Sequence, residues 1–174
     1  MSLLESIKRN RRQRILNRLA DRPHHKRLPN LEEVRTIGLI LPPALDNDEK
    51  LLVDQFEYHM RKRNIGIETL TLPAQGSPAM DWLGLPAHHS IEQFTRQPFD
   101  ILVVATDNDN PAALFVVLNS RSTLRVAYDD TTTLADPIST KTYDLFIRGH
   151  EPFNLSYLLV QLLTFLHDVN KKSS

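Results

Sequence analysis

Two short apolar segments rich in β-branched residues, at 34–41 and 99–106, constrain the fold of this chain most. The first is followed directly by Pro42 and Pro43, which end it sharply. Strands that are apolar on both faces are typical of the middle of a parallel sheet, where helices cover both sides. We therefore expect a mainly parallel sheet with these two segments as central strands.

Further strands and helices alternate along the chain. The pattern predicts strands at 65–72, 124–128 and 143–148, and helices at 46–63, 90–96, 110–120 and 154–169. Asn110 and Pro111 form a strong helix start, because Asn caps the first turn and Pro fits the first helical position. The predicted fold is a single Rossmann-like α/β domain of three layers, with a mainly parallel sheet of about five strands.

The charge is divided unevenly between the N-terminus and the rest. Residues 1–27 carry nine basic and two acidic residues (+7), whereas residues 28–174 carry 12 basic and 19 acidic residues (−7). A helix capped by Ser2 is predicted to run to about Ala20, with Glu5 reaching back to the cap. We therefore divide the chain into a basic helical arm with its linker, 1–27, and a Rossmann-like domain, 28–174.

Composition excludes several classes of protein. The chain has no cysteine, so disulfides, cysteine-ligated zinc, iron–sulfur clusters and thiol nucleophiles are ruled out. Its apolar runs are too short to span a bilayer, and basic residues interrupt the apolar residues near the N-terminus, unlike a signal peptide. The cytoplasm is the expected location.

Several short motifs together resemble an uncharacterised family of small bacterial proteins, a domain of unknown function. These motifs are the basic N-terminal helix, a TIGLI strand at 36–40, a DWLGLP loop at 81–86, FDILV at 99–103 and YDLFI at 143–147. The resemblance covers nearly the whole chain. It implies a bacterial, cytoplasmic, Rossmann-like protein, and it brings no activity or catalytic residues with it.

A second resemblance is to the N-terminal half of heptosyltransferase-type glycosyltransferases. It rests on FDILV at 99–103 followed by RVAY at 125–128. Those enzymes bind a nucleotide sugar with a second Rossmann domain, for which this chain has no room. The resemblance therefore implies a related small-molecule-binding or enzymatic domain rather than a complete transferase.

Acidic residues are predicted at the carboxyl ends of the strands, where open parallel sheets bind ligands. Asp107, Asp109 and Asp129 form a possible ligand rim there, with His150 as a potential base beside Glu151. The simpler interpretation is favoured: residues 107–110 form a polar turn that caps a helix, and the other residues belong to ordinary loops. No glycine-rich phosphate motif is present, and we predict no catalytic residue, metal or cofactor.

Other single residues also have two interpretations. The adjacent histidines 24–25 and 88–89 are expected to be exposed to solvent, because neighbouring side chains diverge and cannot easily share a metal. Trp82 could stack against a ligand, but we expect it to anchor its loop on the core by burying its large ring.

The basic arm carries the preferred functional hypothesis, which is RNA or ribosome association without enzymatic activity. Arginine and lysine on a helix neutralise phosphates and release counterions, and no DNA-reading motif is present. The alternatives are docking of the arm on its own body or on a sister subunit, and binding to a membrane surface. The proposed RNA-contacting residues are Lys8, Arg9, Arg11, Arg12, Arg14, Arg18, Arg22, Lys26 and Arg27.

Overall fold

A computed structural model describes residues 2–24, 27, 29, 31–130, 137–149 and 153–172. The helices in these ranges are α1 (Leu3–Ala20), α2 (Asn47–Arg61), α3 (His88–Arg96), α4 (Pro111–Asn119), α5 (Pro137–Thr142) and α6 (Leu155–Lys172), and a 3-10 turn spans Leu31–Glu33. The strands are β1 (Thr36–Leu41), β2 (Gly66–Thr71), β3 (Pro98–Val104), β4 (Arg121–Asp130) and β5 (Leu145–Gly149).

The five strands form one sheet in the order β2-β1-β3-β4-β5, and every neighbouring pair is parallel. Strands β1 and β3 lie inside the sheet and are buried along almost their whole length. This confirms the predicted α/β class, the parallel sheet and the two central strands. The burial on both faces explains why their sequences are continuously apolar.

Helices cover both faces of the sheet. On one face, α2 and α6 pack against alternate residues of the strands, such as Ile37, Leu39 and Ile101. On the other face, α3, α4 and α5 cover residues such as Ile40 and Leu102, so this arrangement leaves a separate apolar core on each side. We refer to these as the α2 side and the α4 side of the sheet.

Helix α4 is apolar all round. Each residue from Ala112 to Leu118 is buried, and the segment contains no charged side chain. A helix that covers a sheet and faces water on its outside normally has a polar outer stripe. Helix α4 lacks that stripe because α1 packs against it and its neighbour α5, with Leu16 and Leu19 in the same apolar core.

Two aspartates join neighbouring strands through backbone donors. The Asp100 carboxylate in β3 accepts hydrogen bonds from the backbone N–H groups of Arg35 and Thr36, at 2.8 and 2.9 Å. Asp144, just before β5, accepts a bond of 2.9 Å from the N–H of Arg125 in β4. The aspartates of the FDILV and YDLFI motifs therefore align adjacent strands by satisfying their backbone donors.

The structure differs from the predicted elements at a few points. Helix α5 was not predicted, because its six residues are mostly polar and too few to show a helical period. Strand β4 extends beyond the predicted residues 124–128 at both ends, where its sequence is polar and does not read as a buried strand. The other boundaries shift by one to three residues, as is usual at element ends.

Candidate nucleic-acid interface

Helix α1 is docked on the body along its C-terminal half. Ser2 caps it by accepting a hydrogen bond of 3.2 Å from the Glu5 N–H, as predicted, whereas the Glu5 carboxylate pairs with Lys8 instead of reaching back to the cap. Leu16 is only 2% exposed and Leu19 is also buried, whereas Leu3 and Leu4 at the other end are exposed. The basic arm therefore forms an outer layer of the α4 side, which is the arrangement that the intramolecular docking alternative describes.

Three exposed arginines of α1 form a stripe along one face of the helix. Arg11, Arg14 and Arg18 are spaced three and four residues apart, so they share one face of the helix, and all three are exposed. Within the described residues, no carboxylate lies within ion-pair distance of their guanidinium groups. We call these three residues the arginine stripe. Its positive charge is available to a partner.

The other basic residues of the arm have varied surroundings. Lys8 pairs with Glu5 at 3.6 Å, and Arg12 donates a hydrogen bond of 3.4 Å to the Leu83 carbonyl. The Arg27 backbone N–H donates to the Thr123 carbonyl at 3.3 Å, which holds the linker against β4. Arg9, Arg22 and Arg27 are exposed, and Lys26 lies outside the described residues.

The loop that Arg12 contacts is the DWLGLP motif. The Asp81 carboxylate accepts hydrogen bonds from the N–H groups of Leu83 and Leu85, at 2.8 and 2.9 Å. Gly84 adopts a φ of +75°, a conformation that favours glycine. Both leucines are buried in the α4-side core. The motif therefore builds a compact turn that anchors itself through its leucines.

Trp82 lies at the surface of this turn and is 54% exposed. The expectation that it anchors the loop on the core is wrong, because Leu83 and Leu85 fill that role and leave the indole outside. The Arg11 guanidinium lies over the indole, 5.4 Å from its centroid, in a cation–π contact. The turn thus places an aromatic ring next to the arginine stripe.

The linker after α1 is tied to the body by two contacts. The His24 imidazole lies 3.0 Å from the Asp144 carboxylate, and both side chains are largely buried. Asp21 and Lys141 form an exposed pair at 3.1 Å. The expectation that His24 is exposed is therefore wrong, since Asp144 is a partner that the sequence does not reveal. His88 and His89 are exposed as expected, and His25 lies outside the described residues.

A cleft of about 770 Å³ separates α1 from the carboxyl ends of the strands. Arg9 and Arg12 line one wall, and Asp107 and Asp109, which follow β3, line the other. Asn110 accepts hydrogen bonds from the N–H groups of Ala112 and Ala113, which confirms that the 107–110 segment ends in a helix cap. The cleft therefore combines cationic and acidic groups at the edge where parallel sheets bind ligands.

The rest of the predicted rim is not gathered in this cleft. Asp129, at the end of β4, is 0% exposed, and the Arg148 Nε lies 3.8 Å from its carboxylate. Neither Asp129 oxygen accepts a hydrogen bond from the residues that the structure describes. His150 and Glu151 lie outside the described residues. Of the four predicted rim residues, Asp107 and Asp109 line the cleft.

Residues 8–167 match a family of unknown function, DUF6913. The chain belongs to this family. No curated protein and no solved structure matches it. The match includes the arginine stripe, the DWLGLP turn and the linker, so in this DUF6913 member the basic helix and the body fall within one family domain.

One basic residue of the DUF6913 domain escaped the sequence analysis. Arg125 lies in β4 between the buried residues Leu124 and Val126, and it is itself only 8% exposed. Burial lowers the pKa of its guanidinium, and the neighbouring Asp144 carboxylate opposes that shift. A charged residue inside an apolar strand segment is the signal that could have identified it.

Among the described residues, no group of three or more His, Cys, Asp or Glu side chains is arranged to hold a metal ion. None of the helices in the same ranges is long and apolar enough to cross a bilayer.

Proposed function

We propose that this protein binds RNA through the outer face of α1, with the arginine stripe contacting the phosphate backbone. The observation that carries the proposal is that Arg11, Arg14 and Arg18 are exposed and lack acidic partners on a helix that is fixed to the body. Arginine suits phosphate because its planar guanidinium donates two parallel hydrogen bonds.

Packing of α1 against the body leaves its outer face free for RNA and also favours RNA binding. Leu16 and Leu19 hold the helix on α4 and α5, so its backbone does not have to become ordered when a ligand binds. From Arg11 to Arg18 the stripe extends about 10 Å along the helix, which suits neighbouring phosphates of one strand. The geometry therefore suits an extended polyanion.

Trp82 favours unpaired over duplex RNA. Sequence-tolerant binding of single strands combines a basic track with aromatic rings on which bases stack. Trp82 is exposed beside Arg11, which places such a ring at one side of the arginine stripe. A base of the bound strand would stack on the exposed part of the indole, beside the Arg11 guanidinium, while its neighbouring phosphates contact Arg14 and Arg18.

The direct test is the affinity for a single-stranded oligoribonucleotide, measured over a range of salt concentrations. Changing Arg14→Gln and Arg18→Gln together should reduce the slope of log affinity against log salt by about 1.4, because each lost phosphate contact removes about 0.7. The matched control is Lys50→Gln with Arg63→Gln, which removes the same charge from exposed positions on the α2 side. Equal losses in both variants would contradict a specific role for α1.

The base-stacking step has its own test, because Trp82 is the only tryptophan of the chain. Its fluorescence should be quenched as the single strand binds. Trp82→Ala should weaken single-strand binding by about fivefold to 150-fold, since one stacked base contributes about 1–3 kcal/mol. A double-stranded RNA of the same length serves as control and should lose little affinity. Unchanged fluorescence at saturation would exclude stacking.

A second candidate function is the binding of a small molecule in the cleft between α1 and the strand ends. Its volume of about 770 Å³ and its place at the carboxyl edge of the sheet favour this alternative. Arg9 and Arg12 would contact an anionic group, and Asp107 and Asp109 would accept hydrogen bonds from hydroxyl groups. The test is an acid extract of the purified protein: a stoichiometric small anion that is lost from an Asp107→Asn, Asp109→Asn variant supports this function.

A further inference from the structure

Arg125 is a buried cation with too few partners. Its Nε donates one hydrogen bond of 3.4 Å to the Ser122 hydroxyl, although a guanidinium carries five N–H donors. No carboxylate of the described residues lies within ion-pair distance of it. Arginine is rarely buried to this degree unless it is paired. Its terminal nitrogens are not among the fully buried polar atoms without a partner in the described residues, so they are open to the cleft that the side chain lines.

Asp144 does not supply that anion. Its carboxylate already accepts a hydrogen bond from the Arg125 backbone N–H and contacts the His24 imidazole at 3.0 Å. It favours the charged form of the guanidinium from a distance, while burial acts in the opposite sense by lowering the Arg125 pKa. Asp144 therefore offsets only part of the effect that burial has on the charged Arg125 side chain.

The Arg125 side chain lines a cleft of about 310 Å³ at the C-terminal end of α1. None of the residues that line this cleft is acidic, in contrast to the larger cleft that contains Asp107 and Asp109. The polar and charged residues around it are Arg22, His24, Ser120, Arg121, Ser122 and Arg125. Three arginines, one from the linker and two from β4, therefore line one small space.

We propose that this cleft binds a phosphate group, with Arg125 at its base and Arg22 and Arg121 at its mouth. Several arginines match the oxygens of a phosphate by bidentate hydrogen bonds, and a carboxylate has too few oxygens to engage all three. The volume is close to the lower limit for ligand pockets, so it suits a phosphoryl group with a small attached moiety. The proposal does not depend on RNA binding by α1.

The first test uses inorganic phosphate as the probe and the thermal unfolding of the full chain as the readout. Phosphate should raise the Tm of the wild-type protein saturably beyond chloride of equal ionic strength, because a ligand that binds only the folded state stabilises it. Arg121→Gln should weaken phosphate binding at least about tenfold, since it removes charge-assisted hydrogen bonds. Arg63→Gln, which makes the same charge change at an exposed position on the α2 side, outside the cleft, should leave the phosphate affinity within about twofold.

A second variant distinguishes a phosphate ligand from a structural role of Arg125. Arg125→Met keeps much of the side-chain volume and removes the buried charge, so the phosphate-free protein should keep or gain stability. The same variant should lose its Tm response to phosphate. A fall in Tm without phosphate, together with an unchanged response to it, would mean that Arg125 is structural and would overturn the proposal. So would a wild-type protein whose Tm rises equally in phosphate and chloride.

Competition identifies the source of the phosphate group. An oligoribonucleotide with a 5′-phosphate that displaces inorganic phosphate, when its dephosphorylated form does not, assigns the site to an RNA end. Phosphate that stays bound in the presence of saturating oligoribonucleotide assigns it to a free phosphorylated small molecule. Either result supports the site. Because Arg14→Gln with Arg18→Gln tests RNA binding separately, failure of the RNA proposal would leave phosphate binding by Arg125 measurable.

Discussion

Helices α1 and α4 lie against each other, yet their sequences are opposite in character. Helix α4 has seven consecutive buried residues without a charge, whereas six of the 18 residues of α1 are basic. The contact between them uses only a few apolar residues of α1, chiefly Leu16 and Leu19. The comparison teaches that a charged helix can complete a core, because a narrow apolar stripe is enough to cover a helix that is apolar all round.

The largest expected effect is that of removing residues 1–22. The sequence alone suggests that the body would remain folded, because α1 adds no strand to the sheet. The packing predicts the opposite, because the deletion uncovers the outer face of α4 and removes two buried leucines, each contributing about 2–5 kcal/mol. That loss approaches the whole stability of a typical domain, about 5–15 kcal/mol.

Circular dichroism and size-exclusion chromatography would measure the result, and we expect loss of cooperative unfolding or aggregation. A truncated chain that stays monomeric with an unchanged Tm would show that α1 is a separable arm and that α4 tolerates exposure.

A smaller effect is expected from single leucines at the two ends of α1. Leu16→Ala should cost about 2–4 kcal/mol, comparable to Ile101→Ala in the middle of the sheet, because both side chains are buried and leave a cavity. Leu4→Ala should change the free energy of unfolding by no more than about 0.5 kcal/mol, because Leu4 is exposed. Denaturant titration measures all three variants, and similar values for Leu16 and Leu4 would refute the docked arrangement.

The two contacts that hold the linker should contribute unequally to the free energy of unfolding. Asp144→Ala should cost about 1–3 kcal/mol, because it leaves the Arg125 N–H and His24 without their acceptor in a largely buried site. Lys141→Ala removes only the exposed pair with Asp21 and should cost less than about 1 kcal/mol. If urea unfolding ranked the two variants in reverse, the linker would be held chiefly by its surface pair.

The smallest expected change in stability is that of the arginine stripe itself. Arg14→Gln and Arg18→Gln should each alter the free energy of unfolding by less than about 0.5 kcal/mol, because both side chains are exposed and unpaired among the described residues. Their thermal melts should overlay that of the wild-type protein. A clear loss of stability would instead assign the stripe a structural role and weaken the case that its charge is reserved for a ligand.

Much of the fold was predictable from local sequence. The apolar runs that became β1 and β3 are buried on both faces, and burial on both faces leaves a continuous signal that needs no tertiary information. The start of α4 was equally clear, because Asn110 and Pro111 satisfy the first turn of the helix by their own chemistry. Helix α5 left no such signal, since its six residues are too few for a period.

The candidate sites were less predictable. The basic composition of α1 was visible, but the burial of Leu16 and the outward direction of Arg14 depend on which face α4 covers. Aromatic rings usually bury their area, which predicts a buried Trp82, and only the tertiary structure shows that Leu83 and Leu85 enter the core instead. The burial of Arg125 and, among the described residues, the lack of a carboxylate beside its guanidinium depend on which residues surround it in the folded protein, so the sequence does not predict them.

The sequence by itself determined the α/β class, the parallel sheet, the central strands and a basic N-terminal helix. These follow from the periodicity of apolar residues and from turn and cap chemistry, which act over a few residues. Tertiary structure decided the strand order, the docking of α1 on α4, the exposure of Trp82 and the convergence of Arg22, Arg121 and Arg125 on one cleft. Those features join segments far apart in the chain, and their free energy depends on which surfaces meet rather than on local sequence.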